Sequence, residues 1–113
     1  MRKAALFLAA VALCALPALA DTQTFQDVSL VDVNCSKKVA DNPDAHTRDC
    51  ALKCEKSGFG IITSDKKFIK FDADGNKQVV AALQASSAKD HLRVDVTGDV
   101  NGDTMKVTSV TLH

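Results

Sequence analysis

The stretch from His91 to Leu112, HLRVDVTGDVNGDTMKVTSVTL, constrains the fold more than any other part of this chain. Leu92, Val94 and Val96 alternate with charged and polar neighbours, the period-two pattern of a strand with one buried face. Asn101-Gly102 follows, a dipeptide that suits the tight turns between antiparallel strands because both residues tolerate positive φ. TMKVTSVTL then returns with the β-branched composition of a strand. The sequence therefore predicts a closing hairpin of strands over 91–100 and 103–112.

The segments upstream decide what that hairpin joins. TFQDVSLVDVNCS (24–36) is rich in Val and Leu and reads as a strand ending near Cys35. KKVADNPDA (37–45) is a polar loop in which Pro43 can open a helix capped by Asn42. HTRDCALKCEKSG then reads as a short helix stopped by Gly58, with Cys50 and Cys54 on one face. FGIITS (59–64) and KFIKFD (67–72) are two short strands joined through SDKK. DADGNKQVVAALQASS (72–87) begins as an Asp/Gly turn and continues as a helix, at about 76–87, that turns Val79, Val80 and Leu83 to the core. With the first helix set aside, this is five strands with one helix between the third and fourth. That is the element order of the OB-fold, a small Greek-key barrel. The expected class is mainly β (α+β): a five-stranded, OB-fold-like antiparallel barrel over 21–113, every neighbouring pair antiparallel. One helix plugs an end, and a short Cys/His helix is inserted between strands 1 and 2. An open antiparallel sheet with helices on one side is the alternative.

The first twenty residues read differently. MRKAALFLAAVALCALPALA has a basic start, an apolar run from Ala4 to Leu16, Pro17, and the small-x-small triplet Ala18-Leu19-Ala20. This is the pattern of a secretory signal peptide cut after Ala20. The apolar run is short for a membrane span, and nothing downstream is apolar enough for one. A lipid-anchor reading through Cys14 is disfavoured by Leu13, where a small residue is wanted. The expected location is periplasmic or secreted. Removing Arg2 and Lys3 from 14 Lys+Arg leaves 12 against 14 Asp+Glu, a net charge of −2. Without a basic stripe, and without Trp or Tyr, the chain lacks the charge and stacking surfaces that nucleic acids require.

Cleavage also removes Cys14 and leaves Cys35, Cys50 and Cys54, an odd number in an oxidising compartment. His46, Cys50 and Cys54 follow at equal steps of four. Thiolate and imidazole together suit zinc or copper, and three Cys with one His is a structural zinc set. On one continuous helix, however, His46 and Cys54 would lie roughly 12 Å apart, too far for a shared ion. All three can serve one metal only if the helix begins after His46. A disulfide from Cys35 to Cys50 or Cys54 is the competing use, and would staple the inserted helix to the first strand for about 3 kcal/mol. Cys50 to Cys54 is an awkward bridge within one helical turn. A thiol enzyme is a third reading, since His46 could lower the Cys50 pKa, but the spacer between Cys50 and Cys54 is three residues rather than two. A Cys/His hydrolase lacks a nucleophile elbow.

Other motifs carry less. DADGN (72–76) has the wrong glycine position for a calcium loop and no following Glu, so a turn and helix cap is expected. His91 opens a strand as a solvated edge residue, His113 is terminal, and Lys66, Lys67 and Lys70 form a solvated face.

Taken together, Cys35, HTRDCALKCEKSGFG, FDADGNK and VDVTGDVNGD make the chain similar to a group of small secreted bacterial proteins of uncharacterised function. Phe59 stands where that group carries Tyr. The resemblance implies export and an OB-like barrel with a Cys/His-bearing insertion. Two functional expectations follow. The first is a non-enzymatic binding protein holding zinc or copper through Cys35, His46, Cys50 and Cys54. The second is a disulfide-stapled module that binds a protein, peptide or glycan, with thiol oxidoreductase activity a minor alternative. Intact-mass measurement of the exported protein checks the leader: the chain should start at Asp21, and a product retaining residues 1–20, or lipidated at Cys14, contradicts it.

Overall fold

Strand β1 (Asp21–Asp32) is long enough to serve two neighbours. It pairs antiparallel with β4 (Arg93–Asn101) from Asp21↔Val100 to Ser29↔Arg93. Its last residues pair antiparallel with β2 (Phe59–Ile62), from Ser29↔Ile62 to Asp32↔Phe59. The register with β4 slips between Phe25 and Val28, at a bulge where Asp27 takes φ +54. A bulge bends a strand and increases its twist, which lets β1 turn from one wall of the barrel into the next. The computed structural model describes residues 21–113, so the leader expected over 1–20 lies outside the described residues.

Strand β2 pairs antiparallel with β3 (Phe68–Phe71), and β4 with β5 (Thr104–Leu112). The sheet closes as a barrel in the order β1-β2-β3-β5-β4. The expectation of a barrel antiparallel throughout is corrected at one seam: β3 and β5 run parallel, with Lys70↔Thr104 and Phe71↔Met105 in register. The reason is parity. Five strands around a closed ring cannot alternate direction at every step, so at least one pair must be parallel. Here it is the shortest of the five pairings.

The closing hairpin forms with a shifted turn. Asn101 pairs with Thr104, so Gly102 and Asp103 occupy the two turn positions. Gly102 has φ +68 and Asp103 is not in the left-handed region, the requirement of a turn with glycine at its first central position. The alternating residues Val94 and Val96 are buried as their spacing predicts, and Leu92 is buried with them.

Helix α2 (Ala73–Ala85) lies between β3 and β4, and starts earlier than the sequence indicated. (Helix α1 lies in the insertion described below.) Asp72 caps α2: its Oδ1 accepts from Gly75 N at 3.0 Å and from Val107 N at 3.1 Å, tying the helix start to β5. Asn76 Oδ1 accepts from Phe59 N at 2.8 Å, tying the same turn to β2. Val79 and Leu83 then enter a core built with Leu30, Phe59, Ile61 and Met105.

The packing leaves no room at Gly60. A Cβ there would stand 2.2 Å from the Ile69 carbonyl oxygen and 2.7 Å from the Phe68 ring. Because the first neighbour is backbone, β2 and β3 would have to separate. Gly60→Ala should therefore destabilise the protein by about 1–3 kcal/mol, read as a lower urea midpoint at unchanged slope.

Candidate metal centre

Between β1 and β2 the chain makes an excursion that the barrel itself does not need. It begins at Asp32, whose Oδ2 accepts from Cys35 N at 3.0 Å and so caps a 3-10 turn over Val33–Cys35. The helix expected from Pro43 does not form. Pro43–Ala45 makes only a 3-10 turn, Asn42 gives it no side-chain cap, and His46 returns to extended backbone at φ −71 and ψ 130. Thr47 provides the cap instead: its Oγ1 accepts from Cys50 N at 3.1 Å and starts α1 (Arg48–Lys53). This helix ends at Cys54, well before Gly58. A further 3-10 turn, Glu55–Ser57, and Gly58 at φ +90 lead into β2.

Several contacts hold the excursion to the barrel. Asp44 takes two hydrogen bonds from Arg93 of β4, Nε to Oδ1 at 2.9 Å and Nη2 to Oδ2 at 2.8 Å. Arg93 Nη1 also donates to the Asp27 carbonyl at 2.8 Å, which links the clasp to the β1 bulge. The guanidinium holds the Asp44 carboxyl below its ordinary pKa. Arg48 is half-buried. Its Nη1 donates to the Ser86 carbonyl at 2.7 Å, at the C-terminal end of α2, where unpaired helix carbonyls attract a cation.

These contacts bring His46 over the end of β1. His46 and Asp32 are both buried, and His46 Nε2 stands 2.7 Å from Asp32 Oδ1. The distance is that of an ion pair, yet neither atom has an aligned hydrogen-bond partner. Two polar atoms buried without an aligned partner are costly, and their presence calls for an explanation. Cys35 is the third member. One ligand atom from each of Asp32, Cys35 and His46 lies within 4.8 Å of the others, a group that can hold a metal ion. Burial first, and then the Asp32 carboxylate, pushes the Cys35 thiol above its ordinary pKa. A bound cation would reverse that preference by stabilising the thiolate.

Of the four residues predicted from sequence, the structure therefore gathers Cys35 and His46. Cys54 is half-buried at the end of α1, with Asn34 Nδ2 at 3.8 Å from its sulfur. Cys50 is exposed, because the phase set by Thr47 turns Ala51 into the core. The expectation that Cys50 and Cys54 lie on one face of a helix running to Gly58 is corrected: the helix ends before Cys54, and only Cys54 lies beside the Val33–Cys35 turn. All three thiols are free. Asp32 escaped the sequence reading. Its signal was an acid set in the apolar run Leu30-Val31-Asp32-Val33, directly after two buried residues.

The remaining histidines stand apart. His91 is exposed, and the hydrogen bond its Nδ1 donates to Asp90 Oδ1 at 2.9 Å raises its pKa; His113 pairs with Asp95 at 2.8 Å. A groove of about 940 Å³, lined in part by Phe25, Val28, Ile62 and Lys67, contains none of the three cluster residues. It offers volume, whereas the cluster offers converging donor atoms, and coordination chemistry depends on the latter. Among the described residues no helix is long and apolar enough to cross a membrane. Compared with known protein families, curated proteins and solved structures, the chain finds no match.

The Asp44–Arg93 clasp is partly solvated, so its contribution is modest despite two good hydrogen bonds. Asp44→Ala should lower stability by roughly 1 kcal/mol at neutral pH. Since folding depresses the Asp44 pKa, the clasp contributes above the unfolded carboxyl pKa of about 3.9 and is lost as pH falls through the folded value. Denaturant curves of the two proteins should accordingly differ at pH 7 and converge in acid.

Proposed function

We propose that this chain, exported and trimmed to begin at Asp21, is a binding protein for a transition-metal ion of the zinc class. Asp32, Cys35 and His46 supply the ligands. The observation that carries this reading is the buried approach of His46 Nε2 to Asp32 Oδ1 at 2.7 Å without an aligned hydrogen bond, beside a cysteine in the same 4.8 Å group. Donors bound to one tetrahedral zinc at about 2.0–2.3 Å lie roughly 3.3–3.8 Å from one another. The His46–Asp32 approach at 2.7 Å is shorter than that spacing and the whole group lies within 4.8 Å, so small side-chain shifts would fit it to an ion. The mixed oxygen, sulfur and nitrogen set suits borderline zinc better than copper(I), which prefers a set richer in sulfur. The basic leader and Ala18-Leu19-Ala20 support export.

The excursion between β1 and β2 would then be cross-linked twice, by the Asp44 clasp and by the ion. Binding to the native state alone raises stability by about 2.7 kcal/mol at a hundredfold excess of free metal over Kd. Reduced mature protein should take up one zinc per chain in competition with a chromophoric chelator, and should melt at a higher temperature with zinc than with EDTA. Cys35→Ser and His46→Gln should each weaken zinc by at least about tenfold, the least that losing a group that merely orients a ligand costs, while Cys50→Ser should leave it unchanged. If the folded wild-type protein takes up no zinc, the cluster is instead a buried ion pair that fastens the insertion.

A further inference from the structure

We infer that Cys54 is the redox partner of Cys35, and that a Cys35–Cys54 disulfide closes the metal site by consuming its sulfur ligand. This rests on the metal reading above and adds its regulation. The geometry begins where the β1–β2 ladder ends. The last ladder pair is Asp32↔Phe59, and the two chains stay in contact beyond it. Val33 N donates to the Gly58 carbonyl at 2.8 Å, and Asn34 N to Ser57 Oγ at 3.2 Å. Asn34 Nδ2 then reaches the Cys54 sulfur itself at 3.8 Å. Cys35 and Cys54 therefore sit at the ends of two short turns, Val33–Cys35 and Glu55–Ser57, that are hydrogen-bonded side by side.

Cys50 is not a comparable partner. It lies in the first turn of α1 and is exposed, and it is four residues from Cys54 across the helix end. Helical Cβ atoms at that spacing are about 5–6 Å apart, beyond the roughly 3.5–4.5 Å that a disulfide needs. Cys54 ends the helix as its C-cap, with φ −103 and ψ 21, so its backbone is not committed to the helical ladder beyond that point.

The oxidant is a low-molecular-weight disulfide, such as oxidised glutathione. The Cys54 thiolate attacks one of its sulfurs, forming a mixed disulfide and releasing the first small thiolate. The Cys35 thiolate then attacks the Cys54 sulfur, forming the Cys35–Cys54 bond and expelling the second. The two protein thiols lose two electrons and two protons, and the small disulfide gains both to become two thiols. Cys35 cannot be at once a disulfide sulfur and a thiolate ligand, so the ion would be left with Asp32 and His46.

The test uses the mature protein in reduced form and after equilibration with oxidised glutathione, with zinc affinity and non-reducing peptide maps measured for wild type, Cys54→Ser and Cys50→Ser. Oxidised wild type should be 2 Da lighter. It should carry the Cys35–Cys54 bridge and bind zinc at least about tenfold more weakly than the reduced protein. Cys54→Ser should bind zinc like wild type when reduced. It should also keep more of that affinity after oxidation, and Cys50→Ser should respond as wild type does. A Cys50–Cys54 bridge in the map overturns the assignment, as does wild type that keeps full zinc affinity once bridged. If Cys54→Ser loses affinity in the reduced state, Cys54 is itself a ligand and the inference is wrong. Reduced wild type that binds no zinc defeats the metal reading, and the gating with it, whereas the other failures leave the metal reading standing.

Discussion

A carboxylate removed wholly from water must find a partner for each of its oxygens, and in this protein that demand falls on Asp32. The unrelieved penalty for burying such an ion is several kcal/mol. Oδ2 is answered locally, by the amide of Cys35, which turns the chain sharply at the end of β1. Oδ1 faces His46, fourteen residues on, after two short turns and a loop. The carboxylate therefore specifies both how β1 ends and where the excursion must come back. It also bears on Cys35: it holds the amide, and it adds to the effect of burial in disfavouring the thiol as an anion.

The same device recurs elsewhere, with polar side chains joining elements that the hydrophobic core alone would not register. Asp72 couples the start of α2 to β5, and Asn76 couples it to β2. Asp44 couples the excursion to β4, and Arg48 couples α1 to the end of α2. Each takes up or supplies a group that would otherwise be left without a partner, and each acts between elements rather than within one. The core explains why the barrel collapses; these joints explain why the Cys/His segment lies over the end of β1.

Much of the barrel could be read from sequence because its signals are local. Alternation at Leu92, Val94 and Val96 fixes which face of β4 is buried, and Gly102 fixes the turn. Asp72 before an apolar-periodic run announces α2. The parallel β3–β5 seam has no local signal: it follows from closing a ring of five strands and is visible only once closure is assumed. The site was legible in part. Cys35 and His46 stood out as residue types, but Asp32 resembled an ordinary acid because its burial depends on residues far along the chain. Cys50 stood out by its spacing from His46 and Cys54, and spacing was the weaker guide.

Why spacing failed at Cys50 also explains how His46 reaches Asp32. Steps of four residues imply one helix face only where one helix runs through all of them. Here Thr47 interrupts it, spending its hydroxyl on the Cys50 amide and leaving His46 on extended backbone. Had the helix run on from Pro43, His46 would have been fixed to the axis that carries Cys50, and its ring could not have been set independently against Asp32. The cap at Thr47 thus separates two histories within one motif. His46 belongs with β1, through Asp32, whereas Cys50 belongs with a short surface helix whose inward residue is Ala51. Cys54, at the far end of that helix, is returned toward β1 by the turn that prepares β2. The regular pattern in the sequence is therefore the trace of a broken helix, and the chemistry lies where the break releases its residues.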